Sequence, residues 1–132
     1  MKVMALDFGS ARTGVAVSDP TGLIARPLGV VERAAGEDGL AELARLVQDE
    51  AVEQVVVGHP LTLRGVRGDQ AHAAERFAKA LREHVDVPVV LFDERFTTDL
   101  AQQAPASGAA EDARAAAHLL SSYLAWSSAA PA

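Results

Sequence analysis

Residues 3–18 read Val3-Met4-Ala5-Leu6-Asp7-Phe8-Gly9-Ser10-Ala11-Arg12-Thr13-Gly14-Val15-Ala16-Val17-Ser18, two apolar segments joined by a short turn. The nearly continuous apolar run over residues 2–8 is expected to be a central strand buried on both faces. Phe8 to Arg12 makes a turn, and Thr13 to Ser18 reads as a second strand. Side chains alternate along a strand, so Val3, Ala5 and Asp7 share one face. Asp7 therefore closes that face at the strand's carboxyl end, where open sheets bind ligands. A plainer role is open to it, capping the turn at Gly9-Ser10 through a backbone hydrogen bond.

Outward from this hairpin, Leu23 to Val31 reads as a third strand, with Pro27 marking a sheet edge or an interruption. Three strands with short connections imply an antiparallel meander. The period then changes. Leu40, Leu43 and Val47 recur at helical spacing and predict an amphipathic helix over 37–50. Gln54 to Gly58 is a short buried strand, and 59–68 is a loop. Ala74, Phe77, Ala78 and Leu81 mark a second helix over 69–84, and Val87 to Phe92 a fifth strand. Residues 97–103 begin a short helix that must stop before Pro105. A last helix is expected over 111–126, with 127–132 a flexible tail. The order predicts one α/β domain over residues 1–126. It is ribonuclease H-like: a three-strand antiparallel meander followed by α-β-α-β, giving a mixed five-stranded sheet flanked by helices.

The 132 residues are 49% hydrophobic, enough for one domain with a core, and contain no cysteine. Thiolate metal sites and disulfides are thereby excluded. The apolar stretch before Asp7 is too short for a leader or a membrane span, so a cytoplasmic protein is expected. A net charge of -6 argues against a general polyanion binder. Many acids fall in helical segments, as at Glu37-Asp38 and Asp49-Glu50. Arg12, Arg26, Arg64, Arg67 and Arg95 fall instead in loops or at strand ends, where they are either solvated surface or a local phosphate-binding rim.

Two further acids resemble Asp7 in placement. Glu94 follows the apolar run Val89-Val90-Leu91-Phe92, with Asp93 between, and one of the two could simply pair with Arg95. Asp112 shares a helical stripe with Ala116, Leu119 and Tyr123, so it faces the core. The helix dipole would favour an acid there, but an exposed one such as Glu111 would serve as well. A carboxylate against apolar neighbours is costly to ionise unless a cation accompanies it. Three converging carboxylates suit hard divalent cations, Mg2+ or Mn2+, which take oxygen ligands. One carboxylate can bridge two such ions about 3.5–4 Å apart while others hold each from outside, the arrangement that promotes in-line phosphoryl displacement.

The residues that carry this pattern resemble a known family. Asp7-Phe8-Gly9, Arg12-Thr13-Gly14-Val15-Ala16-Val17-Ser18-Asp19 is similar to the opening DxGxxRxGxAxSD of the bacterial YqgF/RuvX proteins. Val56-Val57-Gly58-His59-Pro60-Leu61 resembles their VVGLPL segment, with Gly65, Gly68 and Gln70-Ala71 following. Asp93-Glu94-Arg95-Phe96-Thr97-Thr98 resembles DERLTT, and Asp112 through Leu124 their closing DxxAAxxILxSYL. The resemblance runs nearly end to end.

It implies a ribonuclease H-like, metal-dependent nuclease, with an acidic triad on Asp7, Glu94 and Asp112 as both metal ligands and catalytic residues. The family is described as maturing the 5' end of 16S ribosomal RNA and, alternatively, as resolving Holliday junctions. A junction resolvase needs two active sites and would favour a homodimer. Candidate phosphate contacts are Ser10, Arg12, Arg64, Arg67, Arg95 and Thr97. His59, where relatives have leucine, could assist proton transfer. Thr62 replaces a usual asparagine. The family's longer helical stretch and basic cluster ahead of the last aspartate are missing, since residues 99–111 contain no Lys or Arg. Two other readings compete. Asp7-Phe8-Gly9 also resembles the phosphate loop of sugar kinases and actin-like ATPases, and the acidic charge would suit a catalytically idle RNA-binding module.

Overall fold

Strands β1 (Val3–Asp7), β2 (Arg12–Ser18) and β3 (Ala25–Glu32) form the expected antiparallel meander in the computed structural model, which describes residues 1–62, 64–96 and 109–129. Helix α1 (Glu37–Asp49) leads into β4 (Gln54–His59), and α2 (Asp69–Arg82) leads into β5 (Val89–Asp93). Both later strands run parallel to their neighbours, so the sheet order is β3-β2-β1-β4-β5. A one-turn 3-10 helix (Glu94–Phe96) follows β5, and α3 (Ala109–Ala129) closes the chain. This is the mixed, ribonuclease H-like sheet that the element order implies.

The strand alternation decides which face each side chain serves. Met4, Leu6, Val15, Val17, Val55, Val57 and Val89 point to one side, where Leu40, Leu43, Phe77, Ala78 and Leu81 of α1 and α2 cover them. Val3, Ala5, Ala16, Val56 and Phe92 point to the other, under Ala116, Leu119, Leu120 and Leu124 of α3. The central strand is thus buried on both faces, as its unbroken apolar run requires. Asp7 belongs to the α3 side with Val3 and Ala5. Phe8 turns to the other side and stacks on Phe77 with ring centroids 4.5 Å apart.

Differences from the expected boundaries have local causes. Strand β3 starts at Ala25 rather than Leu23 because the Leu23 and Ile24 amides donate to the Asp19 carboxylate at 2.9 and 2.8 Å. Those bonds hold both residues in the turn and leave their side chains exposed. Pro27 does sit on an edge strand, where a missing amide costs least. Helix α3 continues past Trp126 through residues that were expected to fray. The Ser127 and Ser128 hydroxyls donate to the Leu124 carbonyl at 3.2 and 2.8 Å, and the helix runs to Ala129. The helix anticipated over 97–103 lies outside the described residues, as do 130–132. Among the described residues no helix is long and apolar enough to cross a membrane.

Candidate active site

Sheet order places the carboxyl ends of β1 and β4 side by side, with the antiparallel β2 on the far side of β1. Chain direction reverses at β1, and a crevice opens there for geometric reasons. Asp7 at the end of β1 with Phe8, Gly9 and Ser10 after it, Gly58 from β4 with Pro60 just beyond, Gln70 and Ala73 from α2, and Glu94 line a cavity of about 230 Å3.

Glycines admit the other two acids. Gly14 is the register partner of Asp7 across the hairpin. A Cβ on Gly14 would overlap the main-chain carbonyl of Asp112. Only a bare backbone here lets the first turns of α3 lie flat on β2 and deliver Asp112 next to Asp7. Gly58 performs the same service on the opposite flank, since a Cβ there would overlap the Glu94 carboxylate. With that space open, Glu94 folds back across the end of β4 and hydrogen-bonds the Asp7 side chain.

The two carboxyls are electrostatically unlike ordinary acids. Burial pushes Glu94 up to about 7, and the neighbouring Asp7 charge and its hydrogen bond add to the rise. Asp7 is raised too, first by burial and then by the charge of Asp112, while the hydrogen bond from Glu94 opposes the rise. The two share a hydrogen bond and both carboxyls are raised, so the pair resists ionising together. Asp112 is neutralised differently: Arg12 Nε stands 2.8 Å from its Oδ2.

The choice between Asp93 and Glu94 has a structural answer. Asp93 pairs across the ladder with His59, and its carboxylate accepts from the Arg95 backbone amide and guanidinium at 2.6–3.1 Å. Arg95 holds the Asp93 carboxyl below its usual range. Glu94, one residue on, is the acid that reaches Asp7.

The remaining candidates divide. Ser10 lines the cavity. None of Arg12, Arg67 and Arg95 lines it: Arg12 pairs with Asp112, Arg67 with Glu75 and Arg95 with Asp93. Arg64 is exposed and forms no ion pair with the described residues. Thr97 lies outside the described residues. His59 is turned to Glu75, with Nε2 at 2.6 Å from Oε2, and does not line the cavity. Glu75 itself escaped the sequence reading. Arg67 and His59 pull its carboxyl down to about 2, and that partnership joins a loop to a helix, so no spacing announces it.

The donor chemistry fits a hard divalent cation: three carboxylates near a strand end, two of them half-buried, hydrogen-bonded to each other and facing a cavity. They are not arranged as a finished cage. Among the described residues no three acidic or imidazole groups are spaced to grip one ion, and Asp112 is turned to Arg12.

A family profile described as RuvX, Holliday junction resolvase, matches residues 1–126. A Chloroflexus aurantiacus protein named as a pre-16S rRNA nuclease is 46% identical over 101 residues, covering 76% of this chain and 66% of its own. A Geobacillus kaustophilus protein of the same name is 41% identical over 105 residues, covering 78% of this chain and 76% of its own. This chain therefore spans slightly under two thirds of the Chloroflexus relative, at 66%. Among solved structures, Thermus thermophilus RuvC in complex with a Holliday junction substrate matches 100% of this chain and 99% of its own, with a TM-score of 0.63 at 20% identity. A second Thermus thermophilus RuvC structure gives 0.59 at 19%. At such identities the likeness establishes the fold, which is ribonuclease H-like. With a profile covering 126 of 132 residues and relatives above 40% identity, the chain belongs to the RuvX family.

Proposed function

We propose that the chain is a divalent-metal-dependent nuclease that hydrolyses phosphodiester bonds in 5'-end processing of pre-16S rRNA, acting in the cytoplasm as a single domain. The observation that carries this reading is the half-buried, hydrogen-bonded pair Asp7–Glu94 lining a cavity, with the charge of Asp112 close to Asp7. A protein gains nothing in stability by pressing two acids together away from water. Such an arrangement is the mark of a site held for a charged ligand. The names of the curated relatives supply the substrate class.

In this reading Asp7, central among the three, is the shared ligand of Mg2+ or Mn2+, with Glu94 and Asp112 completing the set. When bound, the cations supply Lewis acidity toward the phosphate and water. Glu94 must first give up the proton on its carboxyl, because only the ionised form ligates. Ser10 at the cavity mouth and Arg12 beside it are placed to meet a backbone phosphate. Hydrolysis in line would leave 5'-phosphate and 3'-hydroxyl ends.

Junction resolution is the second reading, and the description of the matched family favours it. It requires paired cuts, hence a homodimer. One experiment separates the two: purified protein is offered a 5'-extended 16S precursor RNA and a four-way DNA junction, each with Mg2+ and with Mn2+. Cleavage of the RNA at its mature 5' end supports the first reading. Symmetric nicking of the junction with the RNA left intact would replace it by the second.

A further inference from the structure

Arg12 stands against the third acid, and its geometry is that of a replaceable partner. Its guanidinium pairs with the Asp112 carboxylate, with Nε 2.8 Å from Oδ2. Both side chains remain open to water, at 43% and 31% exposure. The main-chain carbonyl of Asp112 packs against the bare backbone of Gly14, which seats this turn of α3 on β2. Asp112 nevertheless lies close enough to Asp7 to raise its pKa. The three carboxylates thus share one neighbourhood but form no cage among the described residues.

We infer that Arg12 is an internal counterion that competes with the divalent cation for Asp112, so that the acidic site is closed by its own arginine until the cation displaces it. The inference rests on the metal-site reading above. Arg12 is on this account a positioning residue that tunes occupancy through Asp112. A structural role would have the opposite signature. An arginine that merely oriented Asp112 for the metal would, on removal, weaken metal binding; a competitor, on removal, strengthens it.

The test is Mn2+ binding to the purified chain without nucleic acid, measured by calorimetry on the wild type, Arg12→Gln and Arg12→Lys. Circular dichroism checks that each is folded. Arg12→Gln is expected to bind Mn2+ about fivefold more tightly, the scale set by an exposed ion pair plus the loss of a nearby positive charge. Arg12→Lys keeps the charge and should return the affinity most of the way to the wild type. In an Asp112→Asn background the Gln substitution should lose most of its effect. Mn2+ binding that survives Asp7→Asn would overturn the site reading, and this inference with it. Binding that depends on Asp7 but is unchanged or weakened by Arg12→Gln would overturn the inference alone.

Discussion

The two sides of the sheet's carboxyl edge carry acids in opposite states. On the α2 side, Glu75 and Asp93 each have arginine partners, and both carboxyls are held below their usual range. On the α3 side, Asp7 and Glu94 are half-buried against each other, and both are raised. The residue types are the same. Strand alternation turns Gly58 and His59 to opposite sides, and β5 ends at Asp93, so it is the one-turn helix after it that brings Glu94 to Asp7. On the α2 side the charges are partnered by the chain itself, as a structural network should be. On the α3 side ionisation is left unfavourable, which is the condition a site for an external cation must meet.

The largest effect that could break this contrast is on cleavage. Asp7→Asn should reduce hydrolysis to background while the protein stays folded, assayed beside its melting curve. Full activity in a folded Asp7→Asn protein would remove the α3 side from the chemistry. Next comes packing. Gly14→Ala forces a Cβ into the Asp112 carbonyl, so α3 must lift from β2, costing about 3 kcal/mol by denaturant unfolding.

The third effect is pH-dependent. Glu94 has a folded pKa above its unfolded one, so the folded state takes up a proton there and this group's own contribution to stability is greatest at acid pH. This contribution is fully present below about 4.5 and is lost as pH rises through about 7. Glu94→Gln removes the loss, so the variant should exceed the metal-free wild type by roughly 2 kcal/mol at slightly alkaline pH, and by little at pH near 4. Chemical unfolding across this range checks the sign, and the reverse trend would mean that Glu94 is ionised and partnered like Asp93. The smallest effect lies on the α2 side. Glu75→Gln should scarcely move the melting temperature, because its arginine partner is exposed and that pair is screened. It should instead quicken hydrogen exchange at the Gly65 and Val66 amides, which close the loop that Arg67 ties to α2.

What the sequence discloses and what it hides follow the range of the interactions. The meander and the helices are legible because the apolar run Val3 to Leu6 and the spacing of Leu40, Leu43 and Val47 are local. Asp7 and Asp112 stand out because each is a charge on an apolar face, and that mismatch is visible in a single element. Strand β3 was extended over Leu23 and Ile24 because apolar character outweighs the Asp19 turn that ties their amides. The choice of Glu94 over Asp93 needed Gly58, a residue 36 positions earlier whose missing side chain opens the path. Gly14 belongs to a recognisable motif, yet its purpose is to admit a helix almost 100 residues downstream. The pairing of Glu75 with His59 and Arg67 joins a loop to a helix and has no sequence signature at all.

The central claim is that Asp7, Glu94 and Asp112 together hold a divalent cation, and metal-induced stabilisation tests it most directly. A ligand that binds only the folded state raises the melting temperature with its concentration. Mn2+ should therefore raise the melting temperature of the wild type progressively, and the rise should vanish in Asp7→Asn and shrink in Asp112→Asn. An equal rise in wild type and Asp7→Asn, or none in the wild type, would contradict the account.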